Sequence, residues 1–227
     1  MSENDKIISV EATKFTEILI NTISKHIMRF GLIEAEKNKL FPDIIKEVIQ
    51  KEVFEVKKIK KFSTALYISF SDFINTKCIK FLVQATDNLF VLLRKEVFEN
   101  ISKMGLENIQ NSSVFSGTIR ESDNFFDAVV MPYHFKTTEL NGVTKKRILK
   151  EAFRITKENG VVVIHGYSDL PNIEHALLNV YIKWVKTVYT DIDTSSEEKF
   201  KEELLNAGAK EAKVFVYKGH LFGIGLK

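Results

Sequence analysis

The stretch Val161-Val162-Val163-Ile164-His165 decides the fold. Its four consecutive β-branched residues show no alternation, so both faces of the strand have to be buried. That is the environment of a strand in the middle of a parallel sheet. Asn159-Gly160 supplies a turn before it. Ahead of the turn, Thr144 to Lys157 reads as a helix with Ile148, Leu149, Ala152 and Ile155 on its buried side. Further upstream, Asp127 to Met131 reads as a strand stopped by Pro132. Strand, helix, strand in that order is the crossover unit of a parallel α/β sheet.

The same reading extends in both directions. After Pro171 a helix carries Ile173, Leu177, Val180, Tyr181, Trp184 and Val188. Ser195 to Glu198 matches a capping box, in which Ser195 accepts from the backbone and Glu198 reaches back. That helix carries Phe200 and Leu204 and ends at Gly208. Lys213 to Tyr217 and Leu221 to Leu226 are strands joined by Lys218-Gly219, a link so short that they must be antiparallel. On the other side, Thr64 to Phe70 reads as a strand and Ile79 to Ala85 as a buried one. Thr86 or Asp87 then caps a helix with Leu89, Leu92, Leu93, Val97 and Ile101, ended by Gly105, and Val114 to Gly117 is a short third strand.

Helical stripes open the chain. Phe15, Ile18, Leu19, Ile23 and Ile27 mark a helix over Glu11 to Met28, with Gly31 as its stop, and Ile44, Ile45, Val48 and Ile49 mark another after Pro42. The expected architecture is therefore α/β: a doubly wound, mostly parallel sheet of seven strands with a C-terminal antiparallel hairpin, plus N-terminal helices. Residues 1–60 form an N-terminal helical cap and 61–227 the α/β domain. The stripes need a partner, so they are expected to cover the carboxyl ends of the strands or to form a homodimer contact.

Composition narrows the class. The 227 residues suit one α/β domain with an appendage, and 44% hydrophobic content fills one core. No apolar run nears the roughly 20 residues of a membrane helix, and Met1 to Lys6 is polar, so a cytoplasmic protein with no membrane partner is expected. Cys78, the single cysteine, excludes an internal disulfide. Basic and acidic residues number 33 and 30, a net charge of +3, which speaks against a nucleic-acid partner. The cluster Lys57, Lys58, Lys60 and Lys61 reads as a solvated approach to a buried strand.

Phe126-Asp127-Ala128-Val129-Val130, then Lys145 through Asn159-Gly160 and on to Ile164, resembles the second half of small-molecule S-adenosylmethionine-dependent methyltransferases of the type 11 group. There the pattern is "FD-V-V", a helix ending "R-V-L-K-P-G-G", and a strand. The tail Glu198-Lys199-Phe200 through Leu204-Leu205-Asn206-Ala207-Gly208-Ala209 is similar to that group's "F-x-x-L-L-x-x-A-G-F" helix. The resemblance covers roughly Thr64 to Lys227 and rests on scaffold residues. It implies a Rossmann-like fold, S-adenosylmethionine as cofactor and a small-molecule acceptor.

The cofactor side departs from that pattern. The family's first strand runs into a loop like "D-x-G-x-G-x-G", whose glycines let the backbone approach the cofactor. Here the stretch is Leu66-Tyr67-Ile68-Ser69-Phe70-Ser71-Asp72-Phe73, without glycine. The resemblance sets Gln84 where a ribose-binding acid belongs and Thr118 where an acid meets the adenine. Ser69, Ser71, Asp72, Gln84 and Thr118 are thus the residues that would meet a cofactor, at a site that is atypical or lost. Tyr133 and His134 follow the fourth strand, where they would orient an acceptor or take its proton. A loop histidine bonded to water is the plainer alternative for His134. His165 would line the same cleft or be a hydrogen-bonded loop residue. Tyr181, Trp184 and Tyr189 read as core or as a cleft wall. No metal site is expected, and the sequence has no nucleophile elbow, phosphate loop or HExxH pattern. Two functions stay open: a methyltransferase-like protein acting on a small molecule, and a non-catalytic binding or interaction module of the same fold.

Overall fold

The computed structural model describes residues 41–69, 76–103, 106, 109–131, 144–168, 194–217 and 220–227. A helix, α1, runs over Phe41–Ile49 and continues through a π-helical turn, Gln50–Phe54, to Lys57, where Lys58 at φ 54° ends it. Then come β1 (Phe62–Ile68), α2 (Thr76–Gln84), β2 (Thr86–Leu92), α3 (Lys95–Ser102) and β3 (Ile109–Asn111). A small hairpin of β4 (Val114–Phe115) and β5 (Thr118–Ile119) precedes β6 (Phe126–Met131), α4 (Lys145–Ile155) and β7 (Thr156–Ser168). The chain closes with β8 (Thr194–Ser195), α5 (Glu197–Ala207), β9 (Glu211–Tyr217) and β10 (His220–Leu226).

Seven strands lie side by side in the order β3-β2-β1-β6-β7-β10-β9, and two-residue β8 adds to the end of β7. Pairings from β3 to β7 are parallel, while β10 runs antiparallel to both β7 and β9. The expected architecture is thus the observed one, with β7 between β6 and β10 and Val161 to Ile164 at most 4% exposed.

Alternation along the strands sends residues to two cores. Ala65, Tyr67, Leu89, Val91, Ala128, Val130, Val161 and Val163 face a layer made by α1, α2 and α3. Leu66, Ile68, Leu92, Val129, Met131, Val162 and Ile164 face α4 and α5, through Ile148, Leu149, Ala152, Phe153, Phe200 and Leu204. Helix α1 presents Ile44, Ile45, Val48, Ile49 and Val53 to the first core. Tyr217 Oη donates to Glu47 at 2.5 Å, and Lys213 pairs with Glu52. The second helical stripe therefore packs on a sheet face beside β9, not over the carboxyl ends of the strands. The stripe over Glu11 to Met28 lies outside the described residues.

Two elements exchange roles relative to the sequence reading. Thr76 to Gln84 is a helix, with Cys78, Ile79 and Leu82 fully buried at helical spacing. Thr86 to Leu92 is the strand, with Leu89 and Val91 on one face and Phe90 and Leu92 on the other. The physical reason is topological. Parallel neighbours need a crossover of a dozen or more residues, usually a helix. A strand at Ile79 following one that ended at Phe70 would have had none. Asp87 caps nothing; it is exposed on β2 and pairs with Lys61.

The third strand is also displaced. Val114 to Gly117 belongs to the small hairpin, whose Ser116 and Gly117 turn at φ 49° and 77°. The edge strand of the main sheet is Ile109–Asn111. Asn159-Gly160 is not a terminating turn but an irregularity inside β7, with Asn159 at φ 64°. The N-cap of α5 is Ser196, accepting from Lys199 N–H at 3.2 Å, one residue beyond the expected box.

Candidate functional site

In open α/β sheets, ligands bind outside the carboxyl ends of the strands. Three such ends meet here. Ser69, after β1, donates its N–H to Leu92 O at 3.1 Å, and Ser112, after β3, donates its N–H to Val91 O at 2.8 Å. Leu92-Leu93-Arg94 leads from β2 into α3, with Leu92 2% and Leu93 7% exposed and Arg94 half-buried as the N-cap. Ser69 is 1% exposed, and its hydroxyl has no hydrogen-bond partner among the described residues. Ser112 Oγ donates to Glu121 Oε2 at 2.6 Å, which brings a carboxylate to the end of β3.

The residues expected to meet a cofactor fall in three groups. Ser69 is at the carboxyl end of β1, as expected. Ser71 and Asp72 lie outside the described residues, as do Tyr133, His134, Tyr181, Trp184 and Tyr189. Gln84 and Thr118 are placed elsewhere. Gln84 ends α2, exposed, beside Ala85, whose carbonyl accepts from Phe62 N at the start of β1. That is the amino-terminal edge of the sheet, about 20 Å from the strand ends given 3.3 Å per residue. Thr118 is exposed on the small hairpin, not at the end of β3. With the strands corrected, the positions that follow β2 and β3 are Leu92-Leu93-Arg94 and Ser112. The signal that could have found Arg94 was the crossover rule, which fixes β2 after α2.

Asp127, the acid of the "FD" motif, works at the opposite edge. It accepts from Ser63 N at 2.9 Å, Thr64 N at 2.7 Å and Lys157 Nζ at 2.8 Å, tying β1, β6 and β7 together. Partial burial opposes its ionisation. The Lys157 hydrogen bond and the two backbone N–H groups outweigh that and hold its carboxyl below the usual range. Behind the hairpin, Glu151 accepts Ile119 N–H at 2.9 Å and Arg154 Nη2 at 2.8 Å, while Arg147 Nε donates to Gly117 O at 3.1 Å. The Glu151 hydrogen bond is the main cause that raises the Arg154 guanidinium above its usual value.

His165 is 1% exposed, with its ring 5.3 Å from that of Phe222. It is a core residue within β7, opposite Phe222 of β10. Burial pushes the Cys78 thiol up to about 12, so it stays protonated. Among the described residues no three His, Cys, Asp or Glu side chains come together as metal ligands, and no helix is long and apolar enough to cross a membrane. A groove of about 670 Å³ separates α4 from α5, lined by Lys145, Lys146, Lys150 and Glu203 among others. Lys145 closes part of it by pairing with Glu203 at 2.6 Å.

Neither a protein-family model nor a curated sequence matches the chain. Solved structures do. A candidate S-adenosyl-L-methionine-dependent methyltransferase of Methanococcus maripaludis superposes with a TM-score of 0.57 at 17% identity, over 90% of this chain and 91% of that one. The fold is that of the S-adenosylmethionine-dependent methyltransferases. A candidate O-methyltransferase of Nostoc punctiforme matches with a TM-score of 0.57 at 13% identity, over 82% of this chain but only 55% of its own length. A candidate methyltransferase in complex with the Haloferax volcanii Trm112 methyltransferase activator matches with a TM-score of 0.53 at 13% identity, over 82% and 97% of the two chains.

Proposed function

We propose that the chain is a methyltransferase-like protein acting on a small molecule, with a cofactor site altered so that S-adenosylmethionine is not held in the ordinary way. The observation that carries this is the run Leu92-Leu93-Arg94 at the end of β2. Where the resemblance calls for an acid to accept the two ribose hydroxyls, the chain offers two buried leucines and a guanidinium. A guanidinium has only donors, and neither leucine can accept a hydrogen bond. The glycine-free sequence Ser69-Phe70-Ser71-Asp72-Phe73 adds bulk where the backbone should approach the ligand. Ser112 with Glu121 keeps one carboxylate on the base side.

In this reading Ser69, Ser71 and Asp72 border the cofactor side, and Tyr133 and His134 would meet the acceptor. Alignment of acceptor and donor would then supply most of any rate enhancement. A non-catalytic binding or interaction module of the same fold is the second reading. It is supported by the same missing carboxylate and by the Haloferax neighbour, which is in complex with an activator protein. A homodimer contact through the stripe over Phe15 to Ile27 belongs with it.

Thermal melting tests the proposal. A ligand at a hundredfold excess over Kd stabilises its protein by about 2.7 kcal/mol. Each lost charge-assisted contact is worth about 1.5–3 kcal/mol. Millimolar S-adenosylmethionine or S-adenosylhomocysteine is therefore expected to leave the melting temperature unchanged. Glycine at both Ser69 and Ser71 is expected not to restore a shift, because Leu92 to Arg94 remain. A clear shift in the unaltered protein would make an ordinary cofactor-binding enzyme the better reading.

A further inference from the structure

We propose that the ligand of this site is a phosphorylated nucleoside, its phosphate on a ribose hydroxyl and held by Arg94 at the start of α3. The inference rests on the altered ribose side argued above. In nucleotide-binding α/β sheets, a carboxylate after the second strand selects free ribose hydroxyls, whereas an arginine there accommodates a phosphate. Here the run is Leu92-Leu93-Arg94-Lys95. Glu96, exposed in the first turn of α3, carries the one acidic charge of that turn.

The backbone adds to the charge. Arg94 is an extended N-cap at φ −64° and ψ 146°, with no side-chain cap over the helix. Its carbonyl takes the N–H groups of Val97 and Phe98 at 3.1 and 3.0 Å, so the N–H groups of Lys95 and Glu96 head the helix, where an anion is favoured. An arginine at the N-cap is a poor choice for helix stability, since Ser, Thr, Asp and Asn cap best. It is a good choice for a phosphate, which a guanidinium can bind through two parallel hydrogen bonds. Arg94 already makes a contact within the chain, and its five donors allow it to take a phosphate as well.

Ser69 points the same way independently. Its N–H bond to Leu92 O sets it beside the end of β2. Strand alternation places it with Ala65 and Tyr67, on the sheet face that α3 covers through Val97, Phe98 and Ile101. Among the described residues its hydroxyl is buried without a partner, a cost that a phosphate oxygen beside it would remove. At the end of β3, Glu121 accepts from Ser112 and retains acceptor capacity for a nucleobase donor.

The test is calorimetric titration of the full chain with adenosine, adenosine 2′-phosphate, adenosine 3′-phosphate, inorganic phosphate and S-adenosylhomocysteine. One of the two phosphate esters is expected to bind at least tenfold tighter than adenosine or inorganic phosphate, with an advantage that shrinks as salt rises. Arg94→Gln is expected to abolish that advantage and Arg94→Lys to retain part of it, both still unfolding in a single cooperative transition. Equal binding of adenosine and its phosphates, an advantage that survives Arg94→Gln, phosphate alone binding as tightly, or no binding of any adenosine compound would each overturn the proposal. Those outcomes leave the altered-cofactor reading intact if S-adenosylhomocysteine is also inert. Saturable micromolar binding of S-adenosylhomocysteine is instead the failure of that reading, and this proposal falls with it.

Discussion

Replacing Asp127 should loosen the amino-terminal edge of the sheet by an amount the structure allows to be worked out. Its side chain is 28% exposed and accepts from Ser63 N, Thr64 N and Lys157 Nζ, with a longer contact of 3.3 Å from Thr64 Oγ1. Hydrogen bonds to a charged acceptor are worth about 1.5–3 kcal/mol when buried. The Thr64 bond is partly buried and counts nearly in full, whereas the exposed Ser63 bond counts for a fraction. The Lys157 pair, with Lys157 38% exposed, adds at most about 1 kcal/mol. Asp127→Ala should therefore cost about 3 kcal/mol, a fall of roughly 6–12 °C in Tm for a chain of this size. The pH dependence has a definite sign. The folded carboxyl titrates below its unfolded value of about 3.9. Its contribution is complete above that value and is lost as pH falls through the lower, folded one. Urea midpoints for the protein and Asp127→Asn should thus differ by a constant amount from about pH 5 to 8 and converge below about pH 4. A gap under about 0.5 kcal/mol at pH 7, or one undiminished at low pH, would refute the reasoning.

Other outcomes follow from particular contacts. A Cβ on Gly225 would sit 2.5 Å from Phe153 Cζ and 2.9 Å from its Cε1, so Gly225→Ala should cost about 1–3 kcal/mol in chemical denaturation. Glu151→Ala should strip the acceptor from Ile119 N–H and Arg154, speeding amide exchange over Thr118 to Glu121 and costing about 1–3 kcal/mol. Cys78, buried and protonated, should resist a thiol reagent in the native protein and react only at the rate of unfolding; prompt labelling would show the first core to be open.

The sequence carried the right half of the sheet well, because there the signals agree. Val161 to Ile164 is too apolar for an edge, the helix read from Thr144 starts there with Thr144 as its N-cap, and the link at Lys218-Gly219 is too short for anything but a hairpin. The left half misled for a definite reason. Ile79, Leu82 and Val83 in α2, and Leu89, Val91 and Leu92 in β2, are short apolar runs of similar composition, and periodicity over so few residues suits helix and strand alike. Exchanging the two carried the position that follows the second strand, to which the proposed function assigns the ribose, from Leu92-Leu93-Arg94 to Gln84, at the opposite edge of the sheet. Glu121 escaped notice because it reaches the end of β3 by way of the hairpin turn at Ser116-Gly117, a contact that no linear spacing announces.

Equilibrium dialysis of the full chain against radiolabelled S-adenosylmethionine tests the central claim most directly, since it needs neither an acceptor nor turnover. If Leu92 to Arg94 stand where the resemblance calls for a ribose acid, as proposed, bound ligand should rise in proportion to free ligand, without saturation, up to about 1 mM, a Kd whose free energy is only about −4 kcal/mol. Saturation at one equivalent with a micromolar Kd would contradict the account and show that the guanidinium and the two leucines leave the ordinary cofactor site intact.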